Sequence, residues 1–279
     1  MCYYFTEVRV LENYYNYNDS DIYAHFTCTE HPKPESFFMH THEKYELYCF
    51  FEGKGTYKIE GNDYPLKPGD ILIMRPAEAH YIQLTPGTPY TRFAINFDPS
   101  VFGGIDKSNE LTVPFTDRSA GKKNLYRRSD FKDNSYRTYV KAFTETTDNR
   151  RLQILSNLLP LLNEIACAFK TKSDDETDTS LDFKIVSYIN EHLTEELSLQ
   201  SISDEFYISK PQLCRIFKGA TGSTVWDYIT VKRLVLAREL LKTGVSATSA
   251  CTDCGFNDYS VFYRAYKRKY GVSPSDKNK

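Results

Sequence analysis

The 279-residue chain is predicted to be α+β in two domains. A β-rich N-terminal domain with an attached helical segment precedes an all-α C-terminal domain. Three observations predict this. Residues 1–100 alternate apolar and polar side chains between Gly and Pro punctuation, as the short strands of a sandwich or barrel do. Residues 171–180 are small and acidic with no apolar member, the composition of a linker. Beyond them the chain carries two helix-turn-helix signals, about fifty residues apart.

The strand candidates follow one another closely. Residues 45–51 form the first, and Gly53-Lys54-Gly55 turns it into residues 56–60. Gly61-Asn62-Asp63 is a second tight turn, and residues 71–74, 80–84 and 91–97 continue the series. Residues 101–134 are polar and broken and receive no assignment. From 135 to 170 the pattern is helical: Leu152, Leu155, Leu158, Leu159, Leu162 and Ile165 recur at three- and four-residue steps. Pro160 interrupts the stripe and is expected to kink or split the helix. The stripe has two available partners, a second copy of the chain or its own barrel. These textures give residues 1–134 as a β-domain, 135–170 as a connector or dimerisation segment, 171–180 as the linker and 181–279 as the domain carrying both helix-turn-helix units.

The C-terminal part is helical throughout. Phe183, Val186, Ile189 and Leu193 make one stripe, and Val225, Ile229, Leu234, Ala237 and Leu241 follow a long central helix. In the first helix-turn-helix unit, Leu199, Ile202 and Phe206 pack the positioning helix and Tyr207-Ile208 makes the turn. Ser209 caps the next helix, where Pro211 is tolerated in the first turn. Leu213, Ile216, Phe217 and Ala220 face inward, leaving Lys210, Gln212, Cys214, Arg215 and Lys218 on other faces. In the second unit Gly255 sits at the turn, Asn257 or Asp258 caps the reading helix, and Phe262 and Tyr266 are its buried face. Tyr259, Ser260, Tyr263 and Arg264 remain available to DNA. Lys210, Lys218, Lys232, Lys267 and Lys269 read as phosphate-side charges.

Composition agrees with a reader joined to something else. Residues 181–279 hold 14 Lys+Arg against 11 Asp+Glu, while residues 1–180 hold 21 against 26. The 22 Tyr and 18 Phe suit half-buried sheets and polar pockets. No apolar run reads as a membrane span and the first residues lack a secretory pattern, so the expectation is a cytoplasmic protein with no membrane partner. The seven Cys then read as reduced thiols. The close pair Cys251 and Cys254 lacks the further ligands a structural zinc needs and falls on helical core positions.

The C-terminal domain resembles the DNA-binding domain of the AraC/XylS family of bacterial transcription regulators, over about residues 181–275. The resemblance is carried by Gly255-Phe256, Asp258, Ser260, Phe262, Arg264 and Tyr266-Lys267, then Tyr270-Gly271-Val272-Ser273-Pro274. It implies that the second helix of each unit reads DNA: Pro211, Cys214 and Arg215 in the first, and Tyr259, Ser260, Tyr263 and Arg264 in the second. Pro211 and Cys214 are poor hydrogen-bonders to base edges, which shifts the first unit's reading to Gln212 and Arg215. Ala250 stands where the family usually has Ile, and the family's usual Tyr-Arg after Ser273-Pro274 is absent.

The N-terminal domain resembles a cupin barrel over about residues 25–100. His40-Thr41-His42, Glu46 and Gly53 fit the first cupin motif in full. The second motif departs: one extra residue precedes Pro76, Glu78 stands where Gly is usual, and no Asn follows His80 at the expected place. In metal-binding cupins the matching positions, here His40, His42, Glu46 and His80, would hold iron, manganese or zinc. The other reading is a ligand pocket without metal, since cupin domains fused to AraC-type readers sense small molecules, often sugars, without catalysis. Strand alternation puts Glu46, Tyr48 and Phe50 on one face and His80, Ile82 and Leu84 on another. Taken as inward, these give a pocket suited to a sugar ring, with Arg92 as an anionic-group partner.

The resulting expectation is a ligand-responsive, sequence-specific transcription regulator. It has no catalytic residue and no required cofactor. Its partners are duplex DNA, a small-molecule effector of which a carbohydrate is one candidate, a second copy of the chain, and RNA polymerase. The alternative is a metal-dependent cupin enzyme, an isomerase or dioxygenase, carrying a DNA-binding module.

Overall fold

A computed structural model describes residues 15–33, 37–145, 147–173 and 180–276. Most of the expected linker, residues 174–179, and the chain end at 277–279 lie outside the described residues. The strands are β1 (Tyr15–Asn18), β2 (Ile22–Thr29), β3 (Tyr45–Glu52), β4 (Gly55–Ile59), β5 (Asn62–Pro65), β6 (Ile71–Met74), β7 (His80–Leu84), β8 (Tyr90–Phe97) and β9 (Leu125–Tyr126). One sheet runs β1-β2-β8-β3-β6-β9 and a second runs β5-β4-β7. All of their pairings are antiparallel.

Period-two alternation sorts the side chains into two cores. Tyr48, Phe50, Tyr57, Ile59, Leu72, Met74, Ile82, Leu84 and Tyr90 fill the space between the sheets. Leu47, Cys49, Phe51, Ile71, Ile73, Phe93, Ile95 and Phe97 face the other way and are covered by helices. β3 is therefore buried on both faces, which explains its nearly unbroken apolar run.

The unassigned stretch after β8 contains α1 (Val113–Thr116) and β9, followed by α2 (Tyr136–Ala142) and α3 (Arg150–Thr171). Asn149 caps α3 by accepting from the Leu152 amide at 3.1 Å. Ile154, Leu158, Leu161, Leu162 and Ile165 of α3 are fully buried against the large sheet, so Leu158, Leu162 and Ile165 of the stripe pack on its own barrel, with Leu155 and Leu159 half-buried beside them and Leu152 exposed. Pro160 lies inside α3 without splitting it, a correction to the expected break: its ring sits on a half-buried position of a helix held by the sheet beneath. By length and composition α3 could cross a bilayer, contrary to the reading that no segment has that character. Here its apolar side forms the domain core.

The C-terminal domain comprises α4 (Leu181–Glu191), α5 (Leu199–Glu205), α6 (Lys210–Thr221), α7 (Val225–Lys242), α8 (Ala247–Asp253) and α9 (Tyr259–Tyr270). Each has a Ser, Thr or Asp cap accepting from a first-turn amide: Ser180, Ser198, Ser209, Thr224, Ser246 and Asp258. Ile189, Ile202, Leu213 and Phe217 form one core with Val225, Tyr228 and Ile229 of α7. Ala250, Cys251, Cys254, Phe262 and Tyr266 form another with Leu234 and Ala237 of the same helix. Ala250 is fully buried there beside both cysteines, so the small residue sits in a filled core.

Candidate effector pocket and nucleic-acid interface

The two readers are built alike. In the first, the chain leaves α5 through Tyr207, held at φ 52°, and re-enters a helix at the Ser209 cap. Leu213 and Phe217 anchor α6 in the core, which turns Lys210, Gln212, Arg215 and Lys218 to solvent. In the second, Gly255 makes the turn at φ 82° and Asp258 caps α9, accepting from Ser260 and Val261 amides at 2.7 and 2.9 Å. Phe262 and Tyr266 are buried, leaving Tyr259, Ser260, Arg264 and Lys267 exposed and Tyr263 half-buried. Exposed positive charge at both reading helices suits phosphate and base-edge contact. Lys269 is half-buried. Lys232 departs from its expected role: it is buried and paired with Glu60 of the barrel at 2.6 Å, so it faces no phosphate.

Arg233 was not foreseen as a functional residue. Its Nε donates to the Leu193 carbonyl at 2.7 Å, and its two terminal nitrogens donate to Gly255 at 2.6 Å and Glu195 at 2.7 Å. One buried guanidinium thus ties the α4–α5 loop of the first unit to the turn of the second. Burial without a carboxylate partner lowers its pKa. A Cβ at Gly255 would stand 2.7 Å from the Thr194 carbonyl oxygen, so this turn tolerates only glycine on both conformational and spatial grounds.

In the barrel the predicted pocket residues converge at one end. Main-chain bridging pairs His40 with His80, and their rings sit 4.4 Å apart. Glu46 lies among them, with one carboxylate oxygen 2.5 Å from His42 Nε2, 3.3 Å from His80 Nε2 and accepting from Asn96 at 3.1 Å. Each histidine uses Nδ1 on a backbone carbonyl: His40 on Phe38 at 3.0 Å, His42 on Lys44 at 2.7 Å and His80 on Glu78 at 2.7 Å. A carbonyl only accepts, so each Nδ1 is a donor; His42 Nε2, at hydrogen-bond distance from a carboxylate that also only accepts, donates as well, while His40 Nε2 is left with a lone pair. His80 Nε2 is buried with no hydrogen-bond partner.

Burial raises the pKa of Glu46, but the His42 hydrogen bond and the adjoining His80 imidazole outweigh it and hold the carboxyl well below its usual range. Burial lowers His80, and the Glu46 carboxylate reverses the sign. Burial and the neighbouring His80 push His40 down to about 4, so it is neutral. One atom each of His40, Glu46 and His80 lie within 4.8 Å of one another, and the donor set fits a divalent transition metal as well as the hydroxyls of an organic ligand.

The barrel interior beside the cluster is aromatic. Tyr48 and Tyr90 share a hydroxyl–hydroxyl bond of 2.9 Å, and Tyr57 packs on Tyr48 with centroids 4.8 Å apart. Arg92 lies over Tyr48 and Tyr90 and hydrogen-bonds His25. Asn96, Tyr57, Tyr90 and His25 were not singled out. Alternation along β8 could have found two of them, because Tyr90, Arg92, Ala94 and Asn96 share a face. A cleft of about 440 Å³ lies apart from this cluster, lined by Asn62, Asp63, Tyr64, Lys122, Arg127 and Lys172 among others.

A barrel that gathers polar groups for a small ligand, joined to paired DNA-reading units, defines a DNA-binding regulator with an effector domain. Residues 23–163 match the AraC-like ligand binding domain and residues 202–279 a helix-turn-helix domain. The chain belongs to the AraC family of transcription regulators. It is 24% identical over 246 residues to the HTH-type transcriptional activator RhaS of Escherichia fergusonii, covering 86% of this chain and 87% of that protein. Against RhaS of Citrobacter koseri it is 24% identical over 248 residues, covering 87% and 88%. Among solved structures, ToxT from Vibrio cholerae aligns over 92% of this chain and 97% of its own at 12% identity and a TM-score of 0.39. The DNA-binding domain of AdpA in complex with a target DNA aligns over 34% of this chain and 87% of its own, at 26% identity and a TM-score of 0.33.

Proposed function

We propose that this regulator reads its operator through Gln212 and Arg215 in the first unit and Tyr259, Ser260, Tyr263 and Arg264 in the second. Lys210, Lys218 and Lys267 hold the phosphates. The observation that carries this reading is that two reading helices expose their polar and cationic side chains while Leu213, Phe217, Phe262 and Tyr266 are buried beneath them. The test is Arg264→Ala, assayed by binding to a duplex selected from a random pool by the full chain. Loss of one base-edge or phosphate contact costs about 1–3 kcal/mol, an affinity drop of roughly five- to 150-fold. Unchanged affinity with an intact circular dichroism spectrum sinks the role.

The effector is a small hydroxylated molecule, a carbohydrate being the leading class, held by His40, His42, Glu46, Tyr48, His80 and Arg92. Carboxylate, imidazole and tyrosine hydroxyls on an aromatic wall support that choice. The chain works in the cytoplasm, as a homodimer. Leu152 is 62% exposed on α3, an apolar side chain available to a second copy. As an activator, it acts with RNA polymerase. The clustered Nε2 atoms favour one second reading, a divalent metal at His40, Glu46 and His80. Elemental analysis of purified protein separates the two: a stoichiometric metal supports the second, and sugar binding by metal-free protein supports the first.

A further inference from the structure

The sharpest polar feature outside the pocket and the reading faces is Glu60. It is 3% exposed and occupies the hairpin turn between β4 and β5, where Ile59 pairs with Asn62. Glu60 and Gly61 both have positive φ, 51° and 79°. A glutamate in the left-handed region costs about 1 kcal/mol relative to glycine. Asparagine or glycine would make this turn more easily.

What the side chain reaches accounts for its presence. One carboxylate oxygen accepts from Lys232 Nζ at 2.6 Å and from the Ala79 amide at 2.6 Å. The other accepts from Asn190 at 2.7 Å and from the Tyr228 hydroxyl. Three of these four partners belong to the DNA-binding domain. A second anchor lies along the same helix, α7: Glu43 pairs with Arg238 at 2.9 Å and Lys242 at 3.2 Å. Between the anchors and the cores the contact is close. A Cβ on Gly61 would stand 3.0 Å from Val186, and one on Gly222 would stand 3.0 Å from Tyr81.

Both anchors adjoin the histidine cluster. Glu43 follows His42 directly. Glu60 bonds the residue before His80 twice, donating its own amide to the Ala79 carbonyl at 2.9 Å and accepting the Ala79 amide on its carboxylate. Ile59 pairs with His80 in the sheet. A ligand that moves His42 or His80 must therefore move the backbone on which the DNA-binding domain rests.

We infer that Glu60, supported by Glu43, is a buried latch that docks α7 on the barrel and couples occupancy of the histidine cluster to the helix carrying both readers. This rests on the effector reading above and names its regulation. Coupling of this kind is reciprocal: a change in the pocket loosens the latch and a broken latch loosens the pocket.

The test needs neither effector nor DNA. In the full chain, backbone amide exchange is followed in residues 78–82 and 225–235 for Lys232→Met, Glu60→Gln, the pair of both, and the pocket variant Glu46→Gln. Lys232→Met strands a buried carboxylate, so exchange rises about tenfold in both segments, including the barrel segment that the substitution does not touch. Glu46→Gln raises exchange in 225–235. The pair is milder than Lys232→Met alone, because neutralising Glu60 removes the stranded charge. Effects confined to the substituted domain, with the circular dichroism spectrum unchanged, overturn the coupling. Should Lys232→Met fail to fold, Tyr228→Phe removes one bond to Glu60 and the same two segments decide. Failure here leaves effector binding standing, and a pocket that binds nothing leaves the latch measurement intact.

Discussion

Glu78 shows how one side chain can hold a domain together. Both of its oxygens are paired with Arg118 at 2.7 Å, and it also accepts from the Gly121 and Arg75 amides and from Asn124. Burial raises its pKa, yet the Arg118 guanidinium outweighs this and holds the carboxyl at about 2 against an ordinary 4.5. A depressed carboxyl binds protons more weakly in the folded chain than in the unfolded one. The stability it contributes is therefore present above pH 4.5 and is lost as pH falls towards 2. Glu78→Gln leaves Arg118 charged and buried, and should cost about 3–5 kcal/mol near neutral pH. Chemical denaturation at pH 7 and from pH 4.5 down to about 2.5 tests both statements: the variant should be less stable and show a shallower acid limb. The left-handed residue of this loop is Ala77, at φ 64°, and not Glu78. Glu78 looked like a departure from a turn glycine in the sequence because its ion-pair partner lies forty residues on, at Arg118, in the stretch that carried no periodic signal.

At the scale of elements, regular segments were legible and contacts between them were not. The strands at 71–74 and 80–84 and the caps at Ser209 and Asp258 follow from alternation and capping chemistry, which are local. β1, β2 and β5 were missed, as was β9, a two-residue strand that depends on pairing with β6. Pro160 does not split α3, because propensity is weak against a sheet that buries one side of the helix. That His40, His42, Glu46 and His80 gather in one place followed from the resemblance to a cupin motif. Asn96 and the unpaired Nε2 of His80 became visible only once the strands were paired. Gly255→Ala is the element-scale test. It forces a Cβ into the left-handed region and to 2.7 Å of the Thr194 oxygen, so a loss of more than about 1 kcal/mol is expected. Thermal unfolding of the full chain measures it, and unchanged stability would show that the turn can relax.

At the scale of the whole molecule, the charge division between the two parts has a measurable consequence. If Lys210, Lys218 and Lys267 each neutralise one phosphate, replacing any one by Gln should lower the slope of log affinity against log salt by about 0.9 while sparing sequence preference. A titration from low to physiological salt reads this directly, and an unchanged slope removes that lysine from the interface. Lys232 was assigned to that set from charge alone; its pairing with a residue on the other domain could not be seen without the fold. α7 has a last implication for the operator. Its N-terminal half is embedded in one reader's core and its C-terminal half in the other's, and Arg233 cross-braces the two. If both readers engage one duplex, a shared helix braced in this way predicts a promoter read as a single word of fixed length, whose two syllables keep their phase. Inserting about five base pairs between them, half a helical repeat, carries one syllable to the far side of the duplex, where this chain cannot follow.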